Sequence, residues 1–63
     1  MHPIRNQLQV LIAEPQAAMA DALTALVESV GNAEVMGCAR TEEEALAAGL
    51  KAVPDVALID LSL

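Results

Sequence analysis

Three short apolar runs, separated by two segments of helical period, constrain this chain more than anything else in it. Leu8 to Ala13 (LQVLIA), Glu34 to Ala39 (EVMGCA) and Asp55 to Leu61 (DVALIDL) are long enough for strands and too short for helices. Between the first two runs, Met19, Ala22, Leu23, Leu26, Val27 and Val30 recur at the spacing of one helical stripe, with Asp21, Thr24 and Glu28 on the other side. Pro15 suits the first turn of that helix, and Gly31-Asn32 supplies a left-handed stop. The second helix opens with the capping box Thr41/Glu44, carries Glu42, Glu43 and Glu44 in its first turn as a solvated acidic start, and stops at Pro54. Ala45, Leu46, Gly49, Leu50 and Val53 are its predicted buried stripe.

The element order is therefore β-α-β-α-β. Right-handed crossovers place the helices on the faces of a parallel sheet, which makes the chain α/β. The last run does not alternate, and this pattern predicts a strand covered on both faces. A flavodoxin-like winding gives three strands in the order 2-1-3, with the topological switch point between the first and the third. In such sheets the functional site lies beyond the C-terminal ends of the strands at that point. Glu14, just after the first strand, and Asp60, at the end of the third, both fall there. Two acids converging on a switch point could hold Mg²⁺ beside a phosphoryl acceptor, whereas a lone strand-end aspartate would only solubilise a loop.

Composition removes other classes. A chain of 63 residues is at most one small domain, and Cys38, its single cysteine, cannot form an internal disulfide. His2 and Cys38 make no zinc site. A core this small needs a partner or a larger parent. No aromatic residue is present, which excludes base-stacking platforms. Nine acids against three basic residues give a net charge of -6, so direct nucleic-acid binding and adhesion to anionic membranes are not expected. The apolar runs are too short for a membrane span or a signal peptide, so a soluble, cytoplasmic protein is expected. No glycine follows the first strand within Glu14-Pro15-Gln16-Ala17-Ala18, which excludes dinucleotide and P-loop readings. Residues 1–7, His2 among them, are expected to form a flexible tail, and Met19, Met36 and Cys38 to fill the core.

The segments V-L-I-A-E-P-Q at 10–16, Leu26-Val27-Glu28, T-E-E-E-A-L at 41–46 and P-D-V-A-L-I-D-L-S-L at 54–63 carry a resemblance. Together they resemble the first half of a response-regulator receiver domain of two-component signalling. The nearest likeness is to receivers of transcription regulators with a helix-turn-helix output domain. The resemblance implies a phosphorelay segment rather than an enzyme, a phosphoprotein acting in transcription regulation. Asp60 would be its phosphoacceptor, loaded by a sensor histidine kinase or a small phosphodonor. It further implies a metal site made by Glu14, Asp60 and the backbone carbonyl of Ser62. The second acid that the family carries after strand one is Pro15 here, whose side chain has no oxygen, so Mg²⁺ is expected to be held weakly.

The family's later strands carry a Ser/Thr and a Lys that contact the phosphoryl group. Residues 8–63 contain neither of these strands and are expected to be an incomplete receiver. In the 2-1-3 order, strand 55–61 is then an uncovered edge, open to a second copy as a homodimer or to the missing half of the domain. Two other functions remain open from the residues alone. One is a degenerate receiver-like interaction or dimerisation module that does not use phosphate, which Pro15 favours. The other is the N-terminal part of an unrelated α/β enzyme.

Overall fold

The computed structural model of the chain describes residues 7–63. The expected tail, His2 included, lies outside the described residues except for Gln7. Five elements follow in the order β1 (Leu8–Ala13), α1 (Ala17–Glu28), β2 (Ala33–Ala39), α2 (Glu42–Lys51) and β3 (Val56–Ile59). The three strands form one parallel sheet in the order β2-β1-β3, the first half of a flavodoxin-like winding.

β1 is central, with β2 along one edge and β3 along the other. Val10 and Ile12 point to one face, where they form the core with Ala33, and Leu23, Val27 and Val35 pack against it. Leu11 and Ala13 point to the other face, below α2, which packs on β1 and β2. Ile12 is the one large side chain with no exposure at all.

α1 starts at Ala17 after an extended Gln16, and its last turn is closed by Ser29 N–H donating to the Ala25 and Leu26 carbonyls. Gly31 then takes φ +98°, the left-handed conformation that turns the chain into β2. At α2 the Thr41 hydroxyl accepts the Glu44 N–H at 3.1 Å. The reciprocal half of the expected capping box is displaced by one residue. The Glu44 carboxylate accepts from Arg40 N–H, at 2.7 Å, rather than from Thr41.

The buried stripes fall short of the sequence expectation. In α1 only Ala20 is buried, with Leu23 and Val27 half-buried, while Met19, Ala22 and Leu26, and Val30 beyond its end, stand exposed. α2 buries no residue fully, and Leu46, Leu50 and Val53 are 68–86% exposed. Cys38 is exposed rather than core, and Met36 is half-buried. All four residues of β3 are exposed, where cover on both faces was expected, and the strand is shorter than the run 55–61. The cause is common to these departures: a stripe predicts what a face is suited to bury, and three strands with two helices do not supply enough opposing surface. Neither helix packs on β3.

Ile12→Val is expected to lower the unfolding free energy by about 1 kcal/mol, and Ile12→Ala by about 2–5 kcal/mol. Leu26→Ala, at a position 65% exposed, should stay within about 0.5 kcal/mol. Urea denaturation followed by circular dichroism checks all three.

Candidate functional site

The C-terminal ends of the three strands lie side by side, and the ladder runs one residue past β1 and β3. Glu14 N–H donates to the Ala39 carbonyl at 2.9 Å, and Asp60 N–H donates to the Ala13 carbonyl at 2.9 Å. These two backbone bonds fix Glu14 and Asp60 on the same edge, to either side of the switch point between β1 and β3. Both acids that the sequence singled out therefore meet where the winding predicts.

Their surroundings differ. Glu14 is buried, 4% exposed, and its carboxylate accepts the Gln16 N–H at 3.1 Å, a turn that also sets the start of α1. Asp60 is half-buried. Its Oδ1 accepts both the Ser62 hydroxyl at 2.6 Å and the Ser62 N–H at 2.7 Å. These two bonds hold the Asp60 carboxyl below the ordinary aspartate range. The Ser62 hydroxyl is the larger of the two causes.

Ser62 thus touches Asp60 through its donors. Its carbonyl, the atom implied by the family resemblance, makes no described hydrogen bond. Among the described residues no group of three or more His, Cys, Asp or Glu could hold a metal ion. The available oxygen donors are the two carboxylates and backbone carbonyls. Mg²⁺ is commonly held by one or two carboxylates with water and phosphate oxygens completing the octahedron, so this donor set fits it, with few protein ligands.

Pro15 sits between the acids and α1, half-buried, and its carbonyl accepts the Arg40 Nε–H at 2.9 Å. Arg40 follows β2 directly and reaches across to the β1–α1 loop. The residue was not singled out from the sequence. The available signal was its place at the end of the second strand, the same edge that carries both acids.

Beside Asp60, on the α2 face of the sheet, lies an open cavity of about 530 Å³ lined by Leu11, Ala45, Leu46, Ile59 and Leu61. It occupies the space over β3 that neither helix covers. Comparison with protein-family models, with curated proteins and with solved structures finds no match to this chain. No helix among the described residues is long and apolar enough to cross a membrane.

Ser62→Ala removes the strongest bond to Oδ1 and should move the Asp60 titration up toward the ordinary aspartate value. Because the folded pKa is the lower one, the Asp60 contribution to stability is complete above the unfolded pKa. It is lost as pH falls through the folded value. Carboxyl-carbon NMR titration of the wild type and the variant checks the direction.

Proposed function

We propose that this chain is the phosphoacceptor segment of a receiver domain in two-component signalling, with Asp60 as the residue that takes the phosphoryl group. The observation that carries this reading is the meeting of Asp60 and Glu14 on adjacent strand ends at the switch point of a 2-1-3 parallel sheet. It rests also on the resemblance of residues 10–63 to the first half of such domains.

The chemistry follows from the carboxylate. Oδ1 is held by two donors from Ser62, so Oδ2 is the freer nucleophile. Its attack on the phosphorus of a phosphohistidine or of acetyl phosphate forms the Asp60 acyl phosphate as the P–N or P–O bond to the donor breaks. Imidazole or acetate leaves, the former taking up a proton. The Asp60 carboxyl, like any aspartate not raised above its ordinary range, is ionised at neutral pH. Mg²⁺, held by Glu14 and Asp60 with the Ser62 carbonyl, would supply charge neutralisation for the incoming phosphoryl oxygens. The partners on this reading are a sensor histidine kinase or a small phosphodonor, and the output is regulation of transcription from the cytoplasm.

A second reading has its own observation. Arg40 grips the carbonyl of Pro15, at the position where the family carries its second acid. A site rebuilt in this way suits a receiver-like module that binds other proteins without phosphate.

The protein incubated with acetyl phosphate and Mg²⁺ is expected to gain the mass of one phosphoryl group, slowly, and Asp60→Asn to abolish the gain. Intact-protein mass spectrometry reads both, and labelling of the Asn variant would exclude Asp60. Pro15→Asp adds a carboxylate beside the pair and should tighten Mg²⁺ binding by titration calorimetry. Equal affinity in the two proteins would place the side chain of residue 15 outside the metal site.

A further inference from the structure

The turn after β3 brings two donors of one residue onto one oxygen of Asp60. The Ser62 hydroxyl donates to Oδ1 at 2.6 Å, and the Ser62 N–H donates to the same atom at 2.7 Å. The Leu63 N–H closes the turn on the Asp60 carbonyl at 3.1 Å, and the Asp60 N–H is tied to the Ala13 carbonyl at 2.9 Å. The arrangement is therefore local, set within residues 60–63 and by one ladder bond to β1. Oδ2 accepts no described hydrogen bond.

We propose that Ser62 shortens the lifetime of the Asp60 acyl phosphate, its hydroxyl acting on Oδ1 while the phosphoryl group sits on Oδ2. This inference rests on Asp60 being the phosphoacceptor, and it adds how long the group stays.

The charge on Oδ1 changes as the phosphoryl group leaves. In the acyl phosphate Oδ1 is a neutral carbonyl oxygen, and the two Ser62 bonds to it are ordinary ones. When water attacks the phosphorus, the P–Oδ2 bond breaks and its electron pair stays with Asp60. Inorganic phosphate departs, the proton of the attacking water goes to solvent, and negative charge spreads onto Oδ1. Both Ser62 bonds then become charge-assisted and roughly twice as strong. Donors that hold the transition state more tightly than the ground state accelerate the step. For the hydroxyl alone, part of that difference amounts to about fivefold in rate. The same bonds favour the free carboxylate over the acyl phosphate, so at a given donor concentration they also lower the labelled fraction.

Ser62 does not take the phosphoryl group itself. Transfer needs the entering and leaving oxygens in line across the phosphorus. A hydroxyl bonded to Oδ1 lies on the side of the leaving carboxylate and cannot stand opposite it.

The protein is labelled with acetyl phosphate and Mg²⁺, freed of donor by rapid desalting, and followed by intact-protein mass spectrometry as the phosphoryl mass is lost. Ser62→Ala keeps the N–H and loses the hydroxyl. It should hold the group about fivefold longer than the wild type and reach a higher labelled fraction at the same acetyl phosphate concentration. Ser62→Thr restores a hydroxyl and should return the wild-type lifetime, while Ser62→Cys, with a weak donor, should fall between. Circular dichroism should be the same in all four proteins, so a ranking by donor strength separates this role from mere shaping of the turn. A lifetime in Ser62→Ala equal to that of the wild type, or shorter, overturns the proposal, while the labelling itself leaves Asp60 as the phosphoacceptor. Should Ser62→Ala unfold, the other two variants decide, and equal lifetimes in Ser62→Thr and Ser62→Cys overturn it. A wild type that takes no label at all overturns the phosphoacceptor reading and this inference with it.

Discussion

The pairing of β1 along both of its edges is the interaction on which the rest depends. Its ladder to β2 holds the first crossover, and its ladder to β3 holds the second. Both helices pack on it, and it supplies Val10, Leu11, Ile12 and Ala13, which are more than half of the seven buried hydrophobic residues among those described. A chain of this size gathers little apolar surface, so concentrating it around one strand gives a single nucleus of order rather than several weak ones. The bonds at the two ends of the β1–β3 pair reinforce this. At one end Gln9 and Asp55 exchange hydrogen bonds, the Gln9 N–H to the carboxylate at 2.8 Å and the Asp55 N–H to the Gln9 carbonyl at 2.8 Å. At the other, Asp60 binds Ala13. The two aspartates that bracket the third apolar run are the two clamps of the strand.

Element type and order were legible because the two periods differ so clearly in this sequence. Six residues of LQVLIA cannot make a useful helix, and the stripe from Met19 to Val30 cannot lie flat as a strand. The 2-1-3 order did not follow from the residues alone: right-handed crossovers leave few windings, and the flavodoxin-like one had to be chosen among them. Burial was less legible. Leu50 and Val53 belong to an apolar stripe and yet stand in solvent, because periodicity records which face is apolar and not what lies opposite. Cys38 reads as a small apolar core residue, but β2 is an edge and α1 covers it only in part. Its Sγ lies 3.5 Å from the Thr24 hydroxyl.

At the candidate site the two acids were readable from strand ends alone, whereas Arg40 and the donors of Ser62 were not. A hydrogen bond between residues 25 apart has no local signature, so the link from Arg40 to Pro15 emerges only once β2 lies beside β1. Ser62 was readable as a neighbour of Asp60, but its role depends on a turn that brings both its N–H and its hydroxyl onto one carboxylate oxygen. The resemblance to receivers pointed to its carbonyl, and the structure draws attention to the other side of the same residue. Asymmetry between the two Asp60 oxygens follows from that turn.

The parallel register of β1 and β2 contains one irregularity, between Val10 and Leu11, where the partner jumps from Val35 to Gly37 and Met36 is passed over. Without that bulge, Pro15 would stand level with Arg40 and Glu14 with Ala39. With it, the end of β2 is drawn back by one residue, about 3.3 Å, and Arg40 arrives level with Glu14. The same slip inverts the alternation of β2, so that Val35 and Cys38, three residues apart, face α1 on either side of it. One supernumerary methionine therefore works as a spacer. It lets the strand satisfy the packing of its middle and the placement of its tip independently, and the number of residues between Ala33 and Arg40 becomes a length setting for the basic arm at the mouth of the sheet.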